Sequence, residues 1–416
     1  MNSIRIQGGI ALQGKVLIQG SKNAVLPVLA ATLLTQECSC IRNCPRITDV
    51  HSMVCLLKAL GCHVCWQERG IVIDSSRMRE GELPQEAVTG MRSSLCLLGA
   101  LLGRCNEVVM EYPGGCVIGE RPIDLHLSAL RQMGVEFTEK AGKLRAAAHK
   151  LHGAHIRLPF PSVGATENII LAGVMAEGDT VLEGAALEPE IRTLCRFLCC
   201  CGAWIDCAGE NRLVIHGGRR LYGTDFTVPS DRIVAGTYLF GCIGAGGNVL
   251  LEHAPVEEMG AVLETARRMG GHVCVSSEGI YVQAPERPHS LELITAPYPG
   301  FPTDLQSVVL AVQAMGDGCS HIRETIFENR FRIVEELEKM GACIERKDSR
   351  SVTVRGVRSL HAACVEAREL RGGAALVVAG LMAQGESLVR GCSYIYRGYE
   401  NICRDFRELG ARVTSV

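Results

Sequence analysis

Cys116 is the residue with the most chemistry gathered around it. It sits in Tyr112-Pro-Gly-Gly-Cys-Val-Ile-Gly-Glu-Arg-Pro-Ile-Asp-Leu-His126. Pro113, Gly114, Gly115 and Gly119 cannot hold regular structure, so the stretch is expected to be a loop whose backbone can approach a ligand. Cys116, Glu120, Arg121, Asp124 and His126 fall within eleven residues. A nearby guanidinium lowers a thiol's pKa and makes the thiolate available. The bland alternative is a surface loop carrying one of this chain's many cysteines, and the loop alone does not decide between them.

Other chemistry-bearing residues stand where helices are expected to begin. Gly20-Ser-Lys-Asn-Ala24 offers the Lys22 ammonium, a compact phosphate partner, beside the Asn23 amide. Pro161-Ser-Val-Gly-Ala-Thr166 puts Ser162, Val163 and Gly164 where exposed N–H groups suit a diphosphate, or where Ser162 is a plain N-cap. Tyr298-Pro-Gly-Phe-Pro-Thr-Asp304 delivers one carboxylate on a stiff loop, as a general base requires. Asp304 capping its own helix is the alternative. Glu324-Thr-Ile-Phe-Glu-Asn-Arg330 and Tyr394-Ile-Tyr-Arg397-Gly-Tyr-Glu400 each place an arginine after an apolar strand, a common pattern that is weak evidence by itself. No Walker loop occurs, and Gly241-Cys-Ile-Gly-Ala-Gly-Gly247 lacks the spacing of a dinucleotide fingerprint.

The elements that must position these groups repeat. A helix end followed by an alternating strand recurs at Gly61, Gly134, Gly202, Gly270, Gly341 and Gly410, roughly 70 residues apart. Each glycine fits the left-handed position that closes a helix. A second helix type, rich in small apolar residues, begins near Lys22-Asn23, Met91-Arg92, Ala165-Thr166, Asp231-Arg232, Thr303-Asp304 and Leu370-Arg371. Helices apolar nearly all round should be buried, with the amphipathic ones and the sheets covering them. Six units predict two α/β domains of three units each, divided near Val228-Pro-Ser-Asp231. The boundaries expected are 21–229 for the domain carrying Cys116, and 1–20 with 230–416 for the other.

Helix starts carry a positive dipole end and free N–H groups, and ordinarily favour acids. Lys22, Arg92, Arg232 and Arg371 stand there instead, with Asp231 and Asp304 among them. This points to a ligand as the source of negative charge, the alternative being solvated caps.

Composition bounds the rest. The 416 residues carry a net charge of -2, which leaves no basic excess for nucleic acid or anionic membrane. No apolar run reaches spanning length and the first residues lack a signal-peptide core, so a cytoplasmic protein is expected. The 21 cysteines are read as reduced thiols serving as small core hydrophobes. Cys62-His-Val-Cys65 has half the spacing of a zinc site without a second half, and reads as a strand; no metal or cofactor is expected.

Taken together, Gly20 to Ala24, the Cys116 loop, Ser162 to Thr166, Phe301-Pro-Thr-Asp304 and Phe327-Glu-Asn-Arg330 resemble the UDP-N-acetylglucosamine enolpyruvyl transferase family over essentially the whole chain. The resemblance implies a two-domain inside-out α/β barrel with its active site in the interdomain cleft. It implies transfer of the enolpyruvyl group of phosphoenolpyruvate to the 3-hydroxyl of UDP-N-acetylglucosamine, through a tetrahedral ketal, with release of phosphate. That is the first committed step of peptidoglycan synthesis, and so serves cell-wall growth, cell shape and division. By the same resemblance Cys116 is the acid that protonates C3 and the site of covalent capture by phosphoenolpyruvate or fosfomycin. Asp304 matches the residue that takes or positions the sugar hydroxyl proton. Lys22, Arg121 and Arg397 match the groups holding phosphate and carboxylate. Asn23, Arg92, Pro122, Ile123, Asp124, Leu125, His126, Ser162, Val163, Gly164, Asp231, Arg232, Ile326, Arg330 and Arg371 match further substrate contacts. Residues 112–122 would close as a lid, and a monomer is implied. Glu369 stands where the pattern often has Asp, and Thr48 where it often has Lys, which bears on phosphoenolpyruvate affinity. The shikimate-pathway enolpyruvyl transferase and a non-catalytic UDP-sugar sensor are the competing readings.

Overall fold

The computed structural model describes residues 2–79, 92–111, 123–140 and 142–416, with the side chains of Arg92 and Ser93 excepted. Met91, Cys116, Arg121 and Pro122 lie outside the described residues, as does the 112–122 lid expected above. Two compact units divide the described residues: one holds 20–79, 92–111 and those from 123 to 229, the other residues 2–19 with Ser230–Val416.

In the first unit the described helices alternate in kind. Helices α1 (Lys22–Ala31), α3 (Cys96–Cys105) and α5 (Val163–Gly173) are buried on nearly every side. Between them come α2 (Thr48–Ala59), α4 (Asp124–Gln132) and α6 (Pro189–Cys200), each with one apolar face. The second unit repeats the scheme. Its buried helices are α7 (Arg232–Ala245), α9 (Thr303–Gln313) and α11 (Leu370–Met382), which pack on one another. Its one-sided helices are α8 (Gly260–Arg268), α10 (Val334–Lys339) and α12 (Ile402–Glu408). Small residues make the inner packing possible: a Cβ at Gly236 would stand 2.4 Å from a Leu305 methyl. Each fully buried Leu, Val or Ile of these inner helices contributes about 1.5–3 kcal/mol.

The six repeat glycines all close helices as expected. Gly61, Gly134, Gly202, Gly270, Gly341 and Gly410 have φ of 88°, 91°, 102°, 88°, 89° and 83°. In every copy the following N–H reaches back to the last turn, as Cys62 does to Leu57 and Ala411 to Phe406.

The sheets sit outside these helices. In the second unit, Cys364–Glu366, Glu386–Arg390, Ser3–Gln7 and Arg412–Ser415 form one sheet, so the N-terminal strand is central in it. Leu12–Leu17 adds a parallel edge to Gly247–Glu252 in another. The first unit closes in the same way, Asp225–Thr227 running parallel to Cys38–Arg42. Every four-stranded sheet has one parallel edge pair and two antiparallel pairs. Helices inside and sheets outside make this the two-domain inside-out α/β fold.

Two expectations are corrected. The third copy's inner helix starts at Val163, two residues before Ala165, because Ser162 caps it by accepting from the Ala165 N–H at 3.4 Å. The cysteines are not chiefly core hydrophobes: ten of the twenty described are exposed, and all twenty are free thiols. Several exposed ones, such as Cys65, Cys207, Cys274 and Cys343, occupy outward positions of the sheets, where the strand's period of two faces alternate residues to solvent. Cys62 is buried while Cys65, in the strand His63–Gln67, is exposed.

Candidate active site

In the first unit, Lys22 opens α1 behind the Ser21 cap and is 8% exposed. Its Nζ meets Asp49 Oδ2 at 2.7 Å, and Asp49 in the first turn of α2 is 2% exposed. Thr48, one residue earlier, is exposed. Pro27 lies inside α1, so the Asn23 carbonyl lacks the amide donor that a regular helix would supply.

A second set gathers around Asn168, which sequence reasoning missed. Its Nδ2 reaches Leu95 O at 3.1 Å, Gly164 O at 3.2 Å and His126 Nδ1 at 2.9 Å, while its Oδ1 accepts the Gly99 N–H. The amide orientation is set by these partners: Oδ1 accepts, and the two Nδ2 hydrogens are shared among the Leu95 and Gly164 carbonyls and His126 Nδ1. One buried amide thus ties the turn Arg92–Leu95, His126 and the Ser162–Gly164 helix start together. Gly164 has no room for a side chain: an added Cβ would lie 2.9 Å from His126 Cε1. Ile123 is buried in the core and Leu125 packs against it, whereas Asp124 is exposed. Ile123 and Leu125 therefore spend their side chains on packing. Further along α5, Glu167 is pushed up to about 8 by burial first, then by the Glu190 and Glu188 carboxylates.

In the second unit the centre is Asp304. It does not cap its helix; Pro302 holds the cap position and Asp304 lies in the first turn of α9. Asp304 Oδ1 accepts from Arg330 Nη2 at 2.7 Å and Oδ2 from Arg371 Nη2 at 2.7 Å. The Arg330 and Arg371 side chains are 2% and 5% exposed and that of Asp304 is 23% exposed. Burial opposes the Arg371 charge, yet the Asp304 carboxylate chiefly, with Tyr399 and Asp231, holds its pKa above the ordinary arginine value. Arg330, expected by resemblance to be a substrate contact, is a buried member of this group. A carboxylate has about four acceptor sites, and these two guanidinium donors fill one on each oxygen of Asp304.

The cations expected to await a ligand's negative charge are thus met in part by this chain's own acids, Lys22 by Asp49 and Arg371 by Asp304. Asp231 caps α7, accepting from Ile233 N at 2.8 Å and Val234 N at 3.1 Å. Arg232 stands over the Tyr298 ring at 5.8 Å. Glu369 caps α11 through the Arg371 and Gly372 N–H groups and lies 3.7 Å from Arg330. Arg397 ends the turn Cys392–Arg397, and the segment after it is held by Gln19, which donates to Gly398 O at 3.1 Å and accepts from Glu400 N at 2.8 Å. Among the described residues no cluster of three His, Cys, Asp or Glu suits a metal, and no helix is long and apolar enough to cross a membrane.

Buried inner helices with sheets outside them, in two units, are the fold that the enolpyruvyl transferases share, and comparison with known proteins places this chain in that class of α/β protein. The model of the EPSP synthase (3-phosphoshikimate 1-carboxyvinyltransferase) family matches residues 6–406. The chain is similar to the solved enolpyruvyl transferase NikO of Streptomyces tendae, with TM-score 0.90, 25% identity and 99% and 98% of the two chains covered. The fold also matches EPSP synthase of Acinetobacter baumannii at TM-score 0.77 and 19% identity over both full chains. UDP-N-acetylglucosamine 1-carboxyvinyltransferase 2 of Caldanaerobacter subterraneus is 43% identical over the whole of both chains, and the 1-carboxyvinyltransferase of Oleidesulfovibrio alaskensis likewise 43%. The chain belongs to the UDP-N-acetylglucosamine 1-carboxyvinyltransferase family.

Proposed function

We propose that this chain transfers the enolpyruvyl group of phosphoenolpyruvate to the 3-hydroxyl of UDP-N-acetylglucosamine and releases phosphate. The observation that carries the reading is the full-length identity of 43% to relatives bearing that activity in their names. The Asp304 site supports it. The acceptor hydroxyl must lose its proton as its oxygen adds to C2, and a carboxylate fixed by two guanidiniums holds that hydroxyl in place.

Addition at C2 requires a proton at C3, and Cys116 is the acid that supplies it. The same thiol is the point of capture by fosfomycin. Loss of a proton from C3 and of phosphate from C2 of the tetrahedral ketal then restores the enol ether. Lys22, Arg121 and Arg397 hold the phosphate and carboxylate through charge-assisted bonds. Asn23, Arg92, Pro122, Asp124, His126 and the N–H groups at Ser162, Val163 and Gly164 receive the nucleotide sugar, with Ile326, Asp231 and Arg232 beside it. The protein works as a monomer in the cytoplasm, in peptidoglycan synthesis, and needs no cofactor.

The test is phosphate release from phosphoenolpyruvate with UDP-N-acetylglucosamine or shikimate 3-phosphate as acceptor, with and without fosfomycin. Release with the nucleotide sugar alone, blocked by fosfomycin and lost in Cys116→Ala, is expected. Release with shikimate 3-phosphate instead, or binding of the UDP-sugar without any release, would overturn the reading.

A further inference from the structure

Glu324 is a carboxylate with no exposure to solvent, and its contacts lie on both sides of the Asp304 site. Its Oε1 accepts from the Ile326 N–H at 2.7 Å and the Phe327 N–H at 3.1 Å. Oε2 accepts from the Thr303 hydroxyl at 2.8 Å. Thr303 is the first residue of α9, immediately before Asp304, and its oxygen also takes a hydrogen bond from Arg330 Nε at 3.3 Å. Arg330 in turn holds Asp304 at 2.7 Å. A buried carboxylate is costly unless its acceptors are filled, and here backbone and hydroxyl donors fill both oxygens. The strand end that carries Glu324 is anchored independently, because Thr325 bonds Thr295 through both its N–H, at 2.9 Å, and its hydroxyl, at 2.6 Å.

Resting on the transferase reading above, we propose that Glu324 is a positioning residue for the acceptor sugar. It locks the 325–327 turn to the start of α9, so that the surface beside the sugar and the carboxylate that takes its hydroxyl move as one body. Glu324 touches no substrate. Its effect passes through the Ile326 and Phe327 amides on one side and through Thr303 and Arg330 on the other. Phosphoenolpyruvate, held by other groups, should be indifferent to it.

The experiment compares wild type, Glu324→Gln and Thr303→Val in steady-state kinetics with both substrates, alongside thermal unfolding. Glutamine keeps the shape but removes the charge, and its NH2 must face either the two backbone donors or a Thr303 hydroxyl that then has to reverse and accept while already taking Arg330 Nε. The expected result for Glu324→Gln is a rise of about tenfold or more in KM for UDP-N-acetylglucosamine and a fall in kcat, with KM for phosphoenolpyruvate within about twofold. Thr303→Val leaves the turn's amide bonds intact and should lower kcat with little change in the sugar KM. Glu324→Asp, which keeps the charge, should recover part of the loss. Equal changes in both KM values, or unchanged kinetics in a folded Glu324→Gln, would overturn the proposal. If Glu324→Gln does not fold, Thr303→Val decides: unchanged kcat rejects the coupling. Absence of activity in the wild type would instead sink the transferase reading itself.

Discussion

Arg371 donates to Asp304 at 2.7 Å across two buried helices of one unit, and the arginine is the more deeply buried partner, its side chain 5% exposed against 23%. Arg330, at 2% exposure, makes the second bond. The asymmetry decides which half of the cluster is costlier to remove.

Asp304→Ala should destabilise more than Arg371→Ala. Loss of the carboxylate removes the close ion pair of each of two buried guanidiniums, a change of about 3–5 kcal/mol. Loss of Arg371 leaves a partly solvated carboxylate that keeps Arg330, discounted to about 2 kcal/mol for that solvent access. Urea unfolding of both variants measures the order, and the reverse order would refute the assignment.

Lys22 and Asp49 should behave as a coupled unit. Each single substitution to alanine breaks a buried ion pair and should cost about 3–5 kcal/mol, whereas Lys22→Met with Asp49→Leu should cost well under the sum. A double-mutant cycle in urea reads the coupling directly. Additive losses would mean the 2.7 Å pair is energetically idle.

Glu167 makes stability depend on pH in a definite direction. Its pKa in the folded protein is pushed up to about 8, above the ordinary glutamate value, by burial and then Glu190 and Glu188. Part of the residue still reaches solvent. A raised folded pKa means the native state binds the extra proton, so this contribution is complete below the ordinary glutamate pKa and is lost as pH climbs through about 8. Glu167→Gln removes the titration. Its urea midpoint relative to wild type should rise between pH 5 and pH 9, and a constant difference would contradict the prediction.

His216 lies between two carboxylates, its Nε2 at 3.1 Å from Asp206 and its Nδ1 at 2.9 Å from Asp179, with Trp204 stacked at 4.1 Å. The hydrogen bond to Asp206 chiefly, against desolvation and helped by Asp179, raises its pKa above the ordinary histidine value. Its stabilising share is therefore complete below the ordinary histidine pKa and is lost as pH rises through the raised one. In an NMR titration Asp206→Asn should bring the His216 midpoint down; an unmoved midpoint would exclude Asp206 as the cause.

Much of the architecture was legible beforehand because it rests on local rules. Gly61 and its five counterparts close helices through a left-handed φ that a side chain resists, and small apolar runs can only be buried helices. Lys22, Asp231, Asp304 and Arg371 were found at helix starts for the same reason. What escaped was side-chain partnership. Asp304 reads as a base or a cap at a helix start and Arg330 as an arginine after an apolar strand, and nothing in either motif pairs the two, which meet 26 residues apart in sequence. Asn168 and Glu324 gave no signal, since an amide inside a helix and an acid after a strand are ordinary residues until their partners are known. The exposed cysteines were misread because a strand's two faces cannot be ranked by composition alone.

The amino-acid sequence by itself determined the six repeats, the two kinds of helix and the family, because turn chemistry, periodicity and motif spacing act over a few residues. Tertiary structure alone decided that Asp304 is held by two buried arginines, that Lys22 is matched by Asp49, and that Glu324 joins a turn to a helix start. Those contacts join residues 21 to 67 positions apart, and their hydrogen bonds exist only once the packed helices and strands have brought the partners within 3 Å.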